Sequence, residues 1–170
     1  NEEVVPNPHS FYGRSKWDGE KQISVLRKDR EVIILRSGNV YGYNPSYRID
    51  AVVNRLLFQA NFLGKITING TGDQHRSFIH VDKLAAVTTK AVDGKVASGI
   101  YNVVEHNLTI NEIAAKVQAL YPGLDIIYAN FNIKMKDMIT ELPSRIWSQV
   151  QLYPATFEEE LLEFKSHFSF

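Results

Sequence analysis

Hydrophobic and polar positions along the chain alternate between a helical period and short apolar runs. Helical spacing from about residue 10 to 28 predicts a first helix, with Trp17, Ile23 and Leu26 as its inward side chains. The run 31–36 is rich in β-branched residues and does not alternate with polar ones. It therefore predicts a strand that is buried on both faces, as in a parallel sheet.

The rest of the chain repeats this exchange of helix and strand signals. Asp82 precedes one helical pattern, and Thr109 precedes another with Glu112 three residues later, so both threonine and aspartate are predicted amino-terminal caps. The alternation predicts the α/β class. Further helices are predicted at about 49–62, 82–92, from 109 and at 156–168, and strands at 65–69, 77–81, 99–104 and 125–128.

Composition narrows the class of protein. The 170 residues are 44% hydrophobic and 22% charged, and 19 basic residues balance 19 acidic ones, so no overall field favours nucleic acid or anionic lipid. No apolar run approaches the roughly 20 residues of a transmembrane helix, and residues 1–8 do not resemble a secretory signal. Without cysteine, disulfides and thiolate catalysis are excluded. His9 and His75 lack metal-ligand spacing, so we predict a cytoplasmic protein without metal, membrane or nucleic-acid contacts.

Tyr12 and Lys16 are the first residues whose spacing indicates chemistry. Residues four apart on a helix lie on one face, and an ammonium beside a phenol stabilises the phenolate. Such a tyrosine donates and accepts protons near neutral pH. Taken alone, the same spacing is also typical of a solvated helix face.

Four segments occur in an order that is typical of a known family, and the first of them contains this pair. The first segment, Pro8 to Lys16, reads Pro-His-Ser-Phe-Tyr-Gly-Arg-Ser-Lys and is followed by Glu20. The others are Leu-Arg-Ser-Gly-Asn-Val-Tyr-Gly at 35–42, Ile-Asn-Gly-Thr-Gly-Asp-Gln-His-Arg-Ser-Phe-Ile-His-Val-Asp at 68–82, and Gly-Ile-Tyr-Asn-Val at 99–103 with Leu-Thr-Ile-Asn-Glu-Ile at 108–113. Over nearly its whole length the chain resembles the extended short-chain dehydrogenase/reductase family, in its NAD-dependent epimerase/dehydratase branch.

The resemblance implies a role for five residues. Tyr12 would be the acid/base, Lys16 would bind the nicotinamide ribose and tune Tyr12, and Ser37 would approach the nicotinamide end of NAD or NADP. Asn39 and Arg76 would bind a nucleotide-diphosphate sugar, Arg76 through its diphosphate. The implied reaction is epimerisation, dehydration or reduction of that sugar. Without the resemblance, two interpretations that need no ligand remain open. Asn39 could be a turn residue, and Arg76 could be a surface charge.

The glycine-rich cofactor loop of this family is absent from the 170 residues. Gly70-Thr71-Gly72 lacks the third glycine and reads as a turn. We therefore expect the carboxy-terminal portion of a doubly wound, Rossmann-like parallel sheet, with residues 1–48 as its remnant and 49–170 mainly a small mixed α/β substrate-binding lobe.

Two functions fit this departure from the family. In the first, the chain is the catalytic and substrate-binding part of an enzyme, inactive without a missing amino-terminal half or a partner chain. In the second, it is a noncatalytic sugar-nucleotide-binding or interaction module. The family also implies a possible homodimer.

Overall fold

The computed structural model describes residues 1–130, 132 and 135–168 of the chain. Its helices are α1 (Phe11–Val25), α2 (Val52–Leu63), α3 (Val81–Val92), α4 (Ile110–Leu120) and α5 (Phe157–Ser166), with 3₁₀ turns at Leu26–Lys28 and Arg145–Ser148. Its strands are β1 (Ile33–Ser37), β2 (Asn39–Tyr41), β3 (Lys65–Asn69), β4 (His75–His80), β5 (Gly99–Val103), β6 (His106–Thr109) and β7 (Asp125–Ala129). Within the described residues, no helix is long and apolar enough to cross a bilayer.

The strands form three small sheets in which parallel pairing dominates. β1 pairs in parallel with β5, and β3 pairs in parallel with β7. The third sheet has the order β2-β4-β6, with β2 parallel and β6 antiparallel to β4. Helices connect the parallel strands, as short turns cannot. The predicted α/β class is confirmed.

Two hydrophobic clusters fill the space between sheets and helices. The larger one joins α2, α4 and α5 to β2, β3 and β4, and its members include the fully buried Leu56, Ile113, Leu161 and Phe164. The smaller cluster lies beside β5 and α3 and includes Val103 and the other buried side chains Ile79, Val87, Tyr101 and Ile146. Most of the packing energy therefore belongs to the part of the chain that follows β1.

The prediction of inward side chains on α1 is wrong for Ile23 and Leu26, which are exposed, whereas Trp17 is half-buried. Ser10 caps this helix by accepting a hydrogen bond from the Gly13 amide at 3.0 Å, but no α1 residue is buried. Ile23 is 49% exposed, and Leu26, just beyond the helix, is 50% exposed. The reason is that no described element covers this face. β1 is likewise only half-buried rather than buried on both faces.

The predicted helix starts are partly right. Thr109 and Glu112 form a reciprocal capping box, as their spacing predicts. Asp82 is not a cap, because His80 caps α3 by accepting a hydrogen bond from the Asp82 amide at 3.4 Å. β2 begins at Asn39, so this residue lies in a strand and not in the turn that its residue type also allowed.

Candidate functional site

An open cleft of about 1090 Å³ contains four of the five residues implied by the resemblance. Tyr12, Ser37, Asn39 and Arg76 all line it, although they come from three distant parts of the sequence. Lys16 is not part of its wall. The other lining groups include side chains of the first turn of α2 and of the segment 135–140.

Strand geometry explains how Ser37 and Asn39 reach this cleft. Ser37 ends β1 and Asn39 begins β2, so the chain crosses from one sheet to the next at Gly38. A Cβ atom at Gly38 would lie 2.9 Å from the Ser77 carbonyl oxygen, which leaves room only for glycine. The Asn39 amide donates a hydrogen bond to that oxygen at 3.0 Å, and this contact fixes its side chain at the edge of the cleft.

Tyr12 and Lys16 lie together on the exposed face of α1. The Lys16 Nζ atom is 5.5 Å from the centroid of the Tyr12 ring, and Tyr12 is 72% exposed. Neither the phenol oxygen nor the ammonium has a hydrogen-bond or ion-pair partner within the described part of the chain. Tyr12 is therefore available to a ligand in the cleft, and Lys16, which does not line the cleft, lies beside the Tyr12 ring.

The cleft carries an excess of positive charge. Four arginines line it: Arg36, Arg48, Arg55 and Arg76. Among the described residues, Asp50 is the one acidic residue of the lining. Arg36 is neutralised by Glu20 at 2.5 Å, and Arg48 by Asp50 at 2.6 Å. The hydrogen bonds from Arg48 hold the pKa of Asp50 below its usual value. Arg55 and Arg76 have no carboxylate partner within the described residues.

Backbone oxygens hold the Arg76 side chain against the segment 135–140. Its Nη1 donates to the carbonyl oxygens of His75 at 2.7 Å and Lys136 at 2.5 Å. Asp137 accepts from the His75 amide at 2.7 Å and fastens the same segment to β4. This segment has no periodic pattern and Arg55 looks like an ordinary helix residue, so sequence reasoning missed both.

A second polar cluster lies away from the cleft, beneath α5. Ligand atoms of Glu105, His106 and Glu160 come within 4.8 Å of one another, a grouping that sequence spacing did not predict. The Lys83 ammonium lies 2.5 Å from Glu105 and 2.8 Å from Glu160, so a cation already occupies the space between the carboxylates. We interpret this cluster as a structural ion-pair network.

Comparison with known proteins settles the family. The NAD dependent epimerase/dehydratase family matches residues 1–104. This range includes Tyr12, Lys16 and the motif segments 35–42, 68–82 and 99–103. The chain belongs to this family. An uncharacterised UDP-glucose epimerase, YtcB, of Bacillus subtilis is 29% identical over 154 residues, which are 88% of this chain and 46% of that protein.

Solved structures of family members share the fold. UDP-N-acetylglucosamine 4-epimerase of Methanobrevibacter ruminantium, solved with UDP-N-acetylmuramic acid, superposes with a TM-score of 0.83 at 22% identity, over 99% of this chain and 56% of that one. The dTDP-glucose 4,6-dehydratase of Bacillus anthracis, solved with NAD, gives 0.80 at 22% identity, over 98% and 54%. The family member described here therefore spans about half the length of these three proteins.

Proposed function

We propose that this chain is the substrate-binding and Tyr-Lys part of an NAD(P)-dependent enzyme that epimerises, dehydrates or reduces a nucleotide-linked sugar. The observation that carries the proposal is the shared cleft. Tyr12, Ser37, Asn39 and Arg76 lie in different segments, yet all four line the same concave surface. Sugar-nucleotide relatives within the family support the substrate class.

Asn39 and Arg76 are the proposed substrate anchors. The Asn39 side chain uses one amide hydrogen on the Ser77 carbonyl oxygen, which leaves its own carbonyl oxygen and second hydrogen for sugar or nucleotide groups. The described hydrogen bonds of Arg76 go to neutral carbonyl oxygens, and the Asp137 carboxylate interacts with it only through space. A planar guanidinium suits the oxygens of a diphosphate better than a point charge does.

Tyr12, Lys16 and Ser37 fit the nicotinamide end of the cofactor, because Tyr12 and Ser37 line the cleft and the Lys16 ammonium lies beside the Tyr12 ring. In our proposal Lys16 donates hydrogen bonds to ribose hydroxyls and stabilises the Tyr12 phenolate. When bound, the cofactor supplies hydride exchange at a sugar carbon. Tyr12 takes or returns the proton of the hydroxyl on that carbon.

The cofactor also needs a polypeptide unit that these 170 residues do not contain. The exposed apolar side of α1, with Phe11 at 90% exposure, favours a further protein surface against it. In our proposal that surface belongs to additional sequence or to a partner chain. The partner chain can be a second copy of this chain, which would form a homodimer through α1. In this arrangement residues 1–48 complete the cofactor domain, residues 49–170 bind substrate, and the complex works in the cytoplasm.

The proposal is tested by binding and by turnover. In titration calorimetry the chain alone should bind UDP-glucose or dTDP-glucose and should not bind NAD. Turnover should appear once a cofactor-binding half of a relative is added in trans. Tyr12→Phe should then lower kcat by roughly 100-fold or more, because the proton donor is lost.

Tyr153→Phe is the matched control, since Tyr153 is 88% exposed and lies outside the cleft. It should leave kcat unchanged. Micromolar NAD binding by the chain alone would contradict the need for a second unit. Sugar-nucleotide binding without turnover in the assembled complex would favour the noncatalytic binding module instead.

A further inference from the structure

We infer that Arg55 is a second phosphate-binding residue of the cleft, which grips the diphosphate of the sugar nucleotide together with Arg76. The inference rests on the proposed function and adds a residue to the substrate site. Arg55 lies in the first turn of α2, and both arginines line the same cleft. Neither belongs to an ion pair within the described residues.

The Arg55 side chain has an unusual hydrogen-bond state. Its Nε atom is buried and has no partner among the described residues. Buried polar atoms in proteins almost always have a partner, and an unpaired donor is most costly when it belongs to a charged group. An anion in the cleft would provide the acceptors that the protein does not provide.

The other arginines of the cleft are in a different state. Arg36 donates to both carboxylate oxygens of Glu20, and Arg48 does the same to Asp50. Each of these two guanidiniums therefore has its charge cancelled by the protein. Arg55 and Arg76 are the two cleft arginines without an ion pair among the described residues, and of these Arg76 also interacts at longer range with the Asp137 carboxylate.

The start of α2 adds charge of the same sign. Ala51 is the N-cap residue, makes no side-chain capping bond and lines the cleft, as Val52 does. The amide hydrogens of this first turn carry the positive end of the helix dipole. A ligand group that contacts Arg55 is therefore expected to be anionic, and the anionic group of a sugar nucleotide is its diphosphate.

The test compares UDP and dTDP with their nucleosides, uridine and thymidine. Arg55→Gln should weaken binding of the diphosphates by roughly 10- to 100-fold, the loss expected for charge-assisted hydrogen bonds. It should leave nucleoside binding unchanged, measured by ligand-observed NMR. Arg27→Gln removes an exposed arginine that does not line the cleft and should change neither. Arg55→Lys keeps the charge but loses the fork, so its effect should fall between wild type and Arg55→Gln.

Each outcome separates the inference from the proposed function. If the wild-type chain binds the diphosphates and Arg55→Gln binds them equally well, the inferred role of Arg55 is wrong. The proposed function is not affected by that result. Equal weakening of diphosphate and nucleoside would also overturn the inferred role, because that result indicates a structural change. If the wild-type chain binds neither diphosphate, the proposed function fails and this inference fails with it. If Arg55→Gln does not fold, Arg55→Lys provides the test. The measured quantity is again the change in diphosphate affinity compared with the change in nucleoside affinity.

Discussion

The first helix of this chain is longer than the last, with 15 residues against 10, yet it buries less. Both begin with a side-chain cap, Ser10 for α1 and Thr156 for α5. α5 buries Phe157, Glu160, Leu161 and Phe164 against the large hydrophobic cluster, while α1 buries nothing. The difference shows that capping and sequence pattern define a helix locally, whereas its contribution to stability depends on what covers it.

The same contrast extends to charges. Around α5 the buried charged groups of Lys83 and Glu160 are paired with each other. In the cleft beside α1, the Tyr12 hydroxyl and the Arg55 Nε atom have no hydrogen-bond partner within the described residues. Paired buried charges support the fold, whereas open polar groups in a cleft are available for ligands or for another protein surface.

The largest effect that tests this contrast is the loss of a core side chain from α5. Leu161 has no exposed surface, so Leu161→Ala should lower the free energy of unfolding by about 4 kcal/mol through lost burial and a cavity. Ile23→Ala on α1 removes a similar volume from a half-exposed position and should cost less than about 0.5 kcal/mol. Urea unfolding of the 170-residue chain measures both.

Leu162→Ala is the control on α5 itself, because Leu162 is 56% exposed and shares the helix with Leu161. Its cost should resemble that of Ile23→Ala. If Ile23→Ala destabilised the isolated chain as much as Leu161→Ala, the outer face of α1 would have to be covered in solution. That result would contradict the comparison.

A smaller effect is expected from breaking the ion pairs under α5. The Lys83 ammonium forms ion pairs with both Glu105 and Glu160, and Glu160 also accepts a hydrogen bond from the Tyr41 hydroxyl. Burial opposes the charge of Lys83, but the two carboxylates outweigh burial and hold the pKa of Lys83 above its usual value. Lys83→Met should therefore cost about 3 kcal/mol, since it leaves the buried Glu160 carboxylate uncompensated.

Lys95→Met provides the comparison for Lys83→Met. Lys95 pairs with Asp93 at 3.6 Å on an exposed surface, where ion pairs contribute little. Its removal should leave the urea concentration at the unfolding midpoint unchanged within experimental error. Equal stability of Lys83→Met and wild type would mean that the network under α5 does not stabilise the fold.

Sequence reasoning succeeded where the deciding interaction is local. The Thr109 and Glu112 capping box needs only two side chains three residues apart, so its pattern was sufficient. The family motifs likewise indicated the family, because their order along the chain is distinctive. Each of these motifs lies inside one short segment of the sequence.

Sequence reasoning failed where the deciding interaction is distant. Ile23 has helical spacing, but whether it is buried depends on a surface outside its own helix. Lys83 also gave no signal, because Glu105 and Glu160, which balance its charge, are 22 and 77 residues further along the chain. Arg55 became notable only when the structure showed its unpaired Nε. Long-range packing, which periodicity does not encode, decides all three.

The smallest expected effect is a dependence of stability on pH near neutrality. Burial lowers the pKa of His106 from its usual value of 6.5, against the opposing attraction of Glu105. The unfolded chain then binds a proton that the folded chain does not, so stability is lost as pH falls from 6.5 towards the folded pKa. The charged groups around this ring are Glu105, Lys83 and the α5 carboxylates of Glu158 and Glu160.

Urea unfolding at about pH 7.5 and 5.5, above the carboxylate range, isolates this histidine from most acidic groups. The wild-type chain should lose more stability across that interval than His106→Gln, which has no proton to bind. His9→Gln, at an exposed position, should follow the wild type. If His106→Gln instead showed the steeper loss, the protonated ring would be the favoured folded form. Attraction to Glu105 would then outweigh burial, and the region under α5 would be more open to water than its packing implies.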